Sequence, residues 1–427
     1  ALAGVPQLIA AKPWLLWLAR GLPLVTLVLF IGSNFALWPT PLWLIGAVVQ
    51  AVLLALVGRD VRHTLDVVAA KAPALEAYRE MLVLLERAPF ESPLLRELKT
   101  RIAFGDVPPS AHLQRLAFWV GLAELRYNYL FHVLVNVFVL WDLHVVHGIE
   151  GFVRDVGLHA SEWFRALGEL EALCSLATLA HGDPDAQMPQ LVDERAPLEA
   201  HGLGHPLITP SARVPNDVSL HGPGSALVVT GSNMAGKSTL LRAVGQNIAL
   251  ALAGGPVIAK SMRVPRVRLR ASMRADDSLE SGSSYFHAEL AKLKRVIASA
   301  EAPPPVFFLL DELLRGTNAR ARHVGAKAVL MHLLDRHATG LCATHDVELA
   351  ALGHEEGARI ENVHFTDVVI DGEMRFDYRL RPGIVRTSNA LRLLAMAGVD
   401  VPLRDREALE SLVVRGSDPE VVEGHSK

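Results

Sequence analysis

The sequence predicts a chain of three parts. An apolar helical hairpin comes first, then an all-helical segment, then an α/β domain. Three observations carry this. Two uncharged runs, residues 22–38 and 41–57, are separated only by the turn "WPTP". From Asp60 to His181 apolar residues recur at helical spacing. From about Leu191 short β-branched runs alternate with helical stretches and glycine-rich turns. A length of 427 residues fits two or three such domains. The boundaries read as 1–59, 60–190 and 191–403, with a tail over 404–427.

Each run of the hairpin has the length a helix needs to cross a hydrocarbon core, about 17 to 20 residues. Gln50 is the only strongly polar side chain in the second. Trp14, Trp17, Trp38 and Trp43 lie near the ends, where interfacial aromatics are expected. Lys12 and Arg20 precede the first run, and Arg59, Arg62 and His63 follow the second. By the positive-inside rule both flanks face the cytoplasm. The expectation is a protein of the inner (cytoplasmic) membrane with its α/β domain in the cytoplasm. A cleaved signal peptide is a poor alternative, because a second span follows at once. A hairpin buried in a soluble core is the other alternative.

The helical segment shows little chemistry. Leu75, Tyr78, Leu82 and Leu85 repeat at helical spacing, as do Leu113, Leu116, Val120 and Ala123. "APFESP" and "GDVPPSAH" read as breaks. The apolar run "LFHVLVNVFVLWDLHVV" carries His132, Asn136, Asp142 and His144. Four such groups fit protein partners better than lipid, so the expectation is one long buried helix. The net charge of −3 gives no general field for nucleic acid. Two distant cysteines, Cys174 and Cys342, offer neither a disulfide framework nor metal-ligand spacing, and a reducing compartment fits them.

The α/β domain holds the chemistry. The apolar run Ala226–Gly231 leads into Gly231-x-x-x-x-Gly236-Lys237-Ser238, then into the helical "TLLRAVGQNIALALA". This is the strand–loop–helix order of a phosphate-binding P-loop. Glycines let backbone N–H groups wrap phosphates, and the helix N-terminus adds partial positive charge. The predicted loop contacts are Gly231, Asn233, Met234, Ala235, Gly236, Lys237, Ser238 and Thr239. Lys237 is expected to reach the β- and γ-phosphates, and Ser238 to ligate Mg²⁺. "PPVFFLLDE" is a buried-strand run ending in Asp311 and Glu312. Asp311 is the expected metal residue, and Glu312 the expected base that activates water. His345 ends the next strand, "GLCATHD", where it can hydrogen-bond the γ-phosphate or its water. ATP with Mg²⁺ is therefore the expected ligand.

From Gly202 to about Val401 the chain resembles the ATPase domain of the MutS mismatch-repair family, within the ABC-type ATPases. The stretches that carry the resemblance are "GHPLI", "PNDVSL", "TGSNMAGKSTLLR", "DDSLESGSSYFHAEL", "LLDELLRGTN", "ATHD" and "TSNALRLLAMAGV", in that order. "ELEALCSLATLA" resembles the helix that leads into that domain. The resemblance implies two ATPase domains meeting face to face, hence a homodimer with composite sites. It implies that Ser284, within "SGSS", contacts the γ-phosphate held by the other subunit, and that His205 and Val214 lie near the adenine. Where the family often stacks an aromatic on the base, this chain offers Arg213 and Val214. Other departures concern DNA reading. No Phe is followed two positions later by Glu, as a Phe-x-Glu mismatch wedge requires. No long clamp insertion is present. Leu314 stands where a small residue is usual, and Asp346 where an aromatic is common.

Two functions follow as expectations. One is a membrane-anchored MutS-like ATPase acting on mismatched or otherwise structured DNA. "RVPRVRLRASMR" is the local basic stretch for it, and the competing reading is a strand with arginines on one solvated face. The alternative is an ATP-driven membrane switch or scaffold that binds no DNA. "LESGSSYF" in place of "LSGGQ" argues against an ordinary transporter ATPase.

Overall fold

The computed structural model describes residues 7–35, 37–38, 41–70, 72–103, 105–157, 159–232, 234–273, 285–314, 317–355, 359–370 and 373–384. The chain divides into two compact units, 1–174 and 175–427.

The first unit is helical among its described residues: α1 (Leu8–Ala11), α2 (Trp14–Asn34), α3 (Trp43–Ala69), α4 (Ala72–Arg87), α5 (Pro93–Ile102), α6 (Pro109–Glu124), α7 (Tyr129–Val139), α8 (Trp141–Val156) and α9 (Ala160–Gly182), the last running on into the second unit. The core is built from stripes at helical spacing. On α3 the stripe is Leu53, Val57, Val61, Leu65 and Val68; on α6 it is Leu113, Leu116, Val120 and Ala123. Leu75, Leu82 and Leu85 are buried as their spacing predicts, and Tyr78 sits at the rim against the Phe164 ring.

The two apolar runs form α2 and α3, both long and apolar enough to cross a membrane. The helices differ from the predicted spans: α2 begins at Trp14, and α3 runs on to Ala69. The uncharged run was only part of each helix, because the charged flanks Arg20, Arg59 and Arg62 continue the same helical turns. The connection is also longer than "WPTP", since α2 ends at Asn34 and α3 starts at Trp43. Leu24, Leu27, Val28, Ile45, Val48 and Leu56 are exposed, whereas Thr26, Gln50 and Thr64 are buried. The hairpin is apolar outside and partly polar inside.

The predicted long helix over Leu130–Val146 is not one buried helix. It breaks at Leu140, which has φ 55°, and α7 and α8 are bent by 79°. α8 is buried along Leu143, Val146, Ile149 and Val153, but α7 is largely exposed. The reason is the polar set His132, Asn136 and Asp142. These side chains bond one another at the bend, which a straight helix would not allow.

The second unit is α/β. Its elements are β1 (Ala186–Gln187), β2 (Gln190–Val192), β3 (Leu198–Leu203), β4 (Asn216–Leu220), β5 (Ala226–Thr230), α10 (Lys237–Leu252), β6 (Val257–Ile258), β7 (Ser261–Pro265), β8 (Arg268–Ser272), α11 (Tyr285–Ser299), β9 (Val306–Asp311), α12 (Ala319–Asp335), β10 (Thr339–Ala343), α13 (Val347–Glu355), β11 (Ile360–Ile370) and β12 (Glu373–Pro382). The main sheet has the order β12-β11-β5-β10-β9-β8, with β12 alone antiparallel to its neighbour. A smaller sheet has the order β2-β7-β3-β4. Every residue of β5, β9 and β10 is buried. Alternation splits them between two cores: Leu227, Val229, Phe307 and Leu309 pack with α10, and Val228, Phe308, Leu310 and Cys342 pack with α11, α12 and α13. That double burial explains strands that read as continuous apolar runs.

Candidate nucleotide site

Because β5, β9 and β10 are parallel neighbours, their C-terminal ends share one edge of the sheet. In open α/β sheets that edge is where ligands bind. The loop after β5 opens α10, and a cavity of about 690 Å³ lies against it. Among the residues lining it are His205, Val214, Met234, Gly236, Lys237, Ser238, Thr239 and Glu312. So residues separated by more than a hundred positions are brought together. Asn233 and Ser284 lie outside the described residues, as do 385–403 and the tail 404–427.

The loop is shaped by its backbone. Gly236 has φ 109°, a conformation L side chains rarely adopt, and a Cβ there would sit 3.4 Å from the Tyr378 ring. Ala235 is buried and Met234 is exposed, with φ 69°. Lys237 is 5% exposed. Its Nζ donates to the carbonyls of Gly231 and Ser232, each at 2.8 Å. The Ser232 hydroxyl is buried with no hydrogen-bond partner among the described residues. A lysine held on loop carbonyls and a buried unsatisfied hydroxyl beside a cavity suit an anionic ligand.

Asp311 closes β9, with Glu312 beyond it; both are 9% exposed. Glu312 has φ 52°, a strained position for a side-chain-bearing residue, and its N–H donates to Ala343 O at 2.9 Å. His345 follows β10 and is half-exposed, with Nδ1 3.8 Å from Glu312 Oε2. The sheet therefore sets the acidic pair, the histidine and the lysine loop at adjacent strand ends. Cys342, on β10 between them, is inert: burial first, and then the Asp311 charge, push its thiol up to about 12.

At the far side of the cavity Arg213 is almost fully buried. It bonds both oxygens of Asp183, at 2.5 and 3.1 Å, then Asp185 at 2.9 Å and Ile208 O at 2.7 Å. The guanidinium thus anchors the loop between β3 and β4. It holds the Asp183 carboxyl below the usual carboxylate range. Burial, and then the nearby Arg242 and Arg213, lower the pKa of His205 and keep it neutral at neutral pH.

Four contacts escaped sequence reasoning. Phe365 and Tyr378 also line the cavity, so aromatics are present after all. They come from β11 and β12, more than a hundred residues past the loop, where no local pattern marks them. Asn216 ties β12 in place: it donates to Tyr378 O at 3.0 Å and accepts from Leu380 N at 2.7 Å. Leu314 is buried at φ 58°, and a Cβ on Gly325 would sit 2.4 Å from its Cδ1. The larger residue at 314 is thus matched by a missing side chain at 325. Asp346 caps α13, accepting from Glu348 N at 3.0 Å, and faces His323 at 3.2 Å.

Among the described residues the basic stretch belongs to two strands in two sheets, with Arg263 on β7 and Arg268 and Arg270 at alternating positions of β8. Arg268 donates to Ser299 O and Pro303 O, Arg270 to Ser299 Oγ, and Arg263 to Glu199.

Residues 227–411 match the family model of MutS domain V. The DNA mismatch repair protein MutS of Natronomonas pharaonis is 34% identical over 249 residues, covering 57% of this chain and 28% of that protein. That of Chloroflexus aurantiacus is 32% identical over 242 residues, covering 55% and 24%. The DNA mismatch repair protein MSH6 of Arabidopsis thaliana is 30% identical over 275 residues, covering 59% and 20%. The chain spans less than a third of the length of these relatives. Over residues 227–411 this chain is thus similar to MutS domain V.

Proposed function

We propose that the chain is a membrane-anchored ATPase of ABC-type P-loop architecture that binds and hydrolyses ATP with Mg²⁺ at sites completed by a second copy. The observation that carries this is the convergence of Lys237, Ser238 and Glu312 on one cavity, with Asp311 at the adjoining strand end. In this reading 1–59 is the membrane hairpin, 60–190 a helical core and lever region, and 191–403 the ATPase domain. The ATPase domain faces the cytoplasm.

The Lys237 ammonium leaves the loop carbonyls for the β- and γ-phosphates, while loop N–H groups and the α10 N-terminus hold their oxygens. The Ser238 hydroxyl and the Asp311 carboxylate would hold Mg²⁺, which would supply charge neutralisation at the phosphates. Glu312 takes a proton from the attacking water, and His345 positions that water or the γ-phosphate. His205, Val214 and Tyr378 form the base end of the cavity, where the neutral His205 adds no charge against the adenine.

The MutS kinship supports work on DNA, and the internal pairing of Arg263, Arg268 and Arg270 speaks against the basic stretch as its contact. That pairing favours the second reading, an ATP-driven membrane switch without DNA. Anisotropy with mismatched and matched duplexes, titrated with salt, separates them. Binding that weakens steeply with salt supports DNA. Intact ATP hydrolysis with no binding at low salt sinks it. For the composite site, Ser284→Ala should lower hydrolysis and be partly rescued by mixing with a Lys237→Ala copy. No rescue would overturn the shared site.

A further inference from the structure

Among the described side chains of α7, the exposed ones are all apolar. Leu130, Phe131, Val133, Leu134, Phe138 and Val139 are between 39% and 74% exposed. His132 and Asn136 turn the other way. His132 Nε2 lies 2.8 Å from Asp142 Oδ1, and Asn136 Nδ2 donates to Asp142 Oδ2 at 2.8 Å. A helix facing water shows the reverse pattern. The same inversion marks α2 and α3, where Thr26, Gln50 and Thr64 are buried beneath an apolar exterior.

α7 also lies along the hairpin. Arg126, in the turn just before it, pairs with Asp66 near the end of α3 at 2.7 Å. Phe138, near its end, meets the Trp43 ring in the first turn of α3, with centroids 6.5 Å apart. α7 therefore runs antiparallel to α3, and its apolar side continues the exterior of Leu44, Val48 and Val52. Eleven residues of helix reach about 16 Å. That is roughly half of a bilayer core of about 30 Å.

The break at Leu140 is chemically closed. Leu140 N donates to Asn136 O at 2.9 Å, and Asp142 N to Asn136 Oδ1 at 3.0 Å. Interrupted helices are tolerated at membrane depth only where freed polar groups find partners.

We propose that α7 is a third lipid-facing segment, a re-entrant half-span beside the hairpin, with Asp142, His132 and Asn136 sealing its bend. Its occupant is the acyl region of the bilayer. The inference rests on the reading of α2 and α3 as a membrane anchor, and the test separates the two. Nitroxide labels are placed on single cysteines at Leu134 and Phe138, at Leu27 and Val49 in the hairpin, and at exposed Arg154. The background is Cys174→Ser in the full chain, reconstituted in phosphatidylcholine–phosphatidylglycerol vesicles; Cys342 is buried and unreactive. All labelled positions are surface positions, so the fold is not at risk.

Collisions with oxygen and with a water-soluble nickel chelate are then compared. Labels at 134 and 138 should match those at 27 and 49, favouring oxygen, while 154 favours nickel. Nickel access at 134 and 138 with lipid-like values at 27 and 49 overturns the half-span and leaves the anchor standing. Nickel access at all of them overturns the anchor as well. Exclusion of both agents at 134 and 138 means a protein surface covers α7, which also overturns the proposal.

Discussion

The two units sort polar and apolar groups in opposite ways. In the α/β unit the strands β5, β9 and β10 are buried throughout, and polar side chains gather where the strands end. In the hairpin the outward positions are Leu, Val, Ile and Phe, while Thr26, Gln50 and Thr64 are inside. The first pattern is what water selects, because apolar area leaves solvent and polar groups keep it. The second suits a surrounding that is itself apolar, where small and polar side chains join helices. One chain thus carries two solvent preferences, and both can be tested by reversing single residues.

The largest effect is expected at the strand ends. Glu312→Gln should leave ATP bound and slow hydrolysis by about 10²–10⁴-fold, the usual contribution of a general base. Single-turnover hydrolysis at the normal rate would show that another group activates water. Lys237→Ala removes charge-assisted bonds to phosphate and should weaken ATP binding about 100-fold, read by calorimetry. Arg213→Ala leaves the buried Asp183 carboxylate without its cation and should destabilise the α/β unit by about 3–5 kcal/mol in denaturant titration. The pH dependence has a definite sign. The folded pKa of Asp183 is lowered, chiefly by its bonds with Arg213. Its contribution is full above the ordinary carboxylate range and is lost as pH falls through the lowered value. The gap between wild type and Arg213→Ala should therefore narrow in acid.

In the hairpin the reversal is Leu27→Arg. It should cost about 2.5–3.5 kcal/mol of membrane insertion and shift the protein from the membrane to the soluble fraction on sedimentation. Unchanged partition would break the comparison, by showing that this surface does not meet lipid. The smallest effect concerns packing under the site. Gly325→Ala should cost about 1–3 kcal/mol by overpacking Leu314, and Leu314→Ala should relieve part of it. Additive losses would mean that the two positions are not matched.

Legibility in the sequence followed the range of the interactions. The loop over Gly231–Ser238 was readable because a strand, a turn and a helix in succession make it. Asp311, Glu312 and His345 were readable because each ends an uncharged strand. Tyr378 was not, since only the pairing of β11 with β5 and β12 brings it to the loop. Arg268 and Arg270 alternate as on a solvated strand face, yet the end of α11 lies over them and takes their bonds. The run around Leu140 misled for a related reason. Its composition suits one buried helix, and nothing local states that Asp142 turns back onto His132 and Asn136.

Local order and period determine which segments become helix, strand or phosphate loop, because those depend on neighbours within a few turns. Sequence alone therefore marked the two apolar helices, the strand–turn–helix around Lys237 and Ser238, and the strand that ends at Asp311. Tertiary structure decided which residues share the cavity, which arginines are spent on packing, and which face of α7 points outward. Each of those depends on contacts between distant segments, and burial and hydrogen-bond satisfaction are properties of the packed chain.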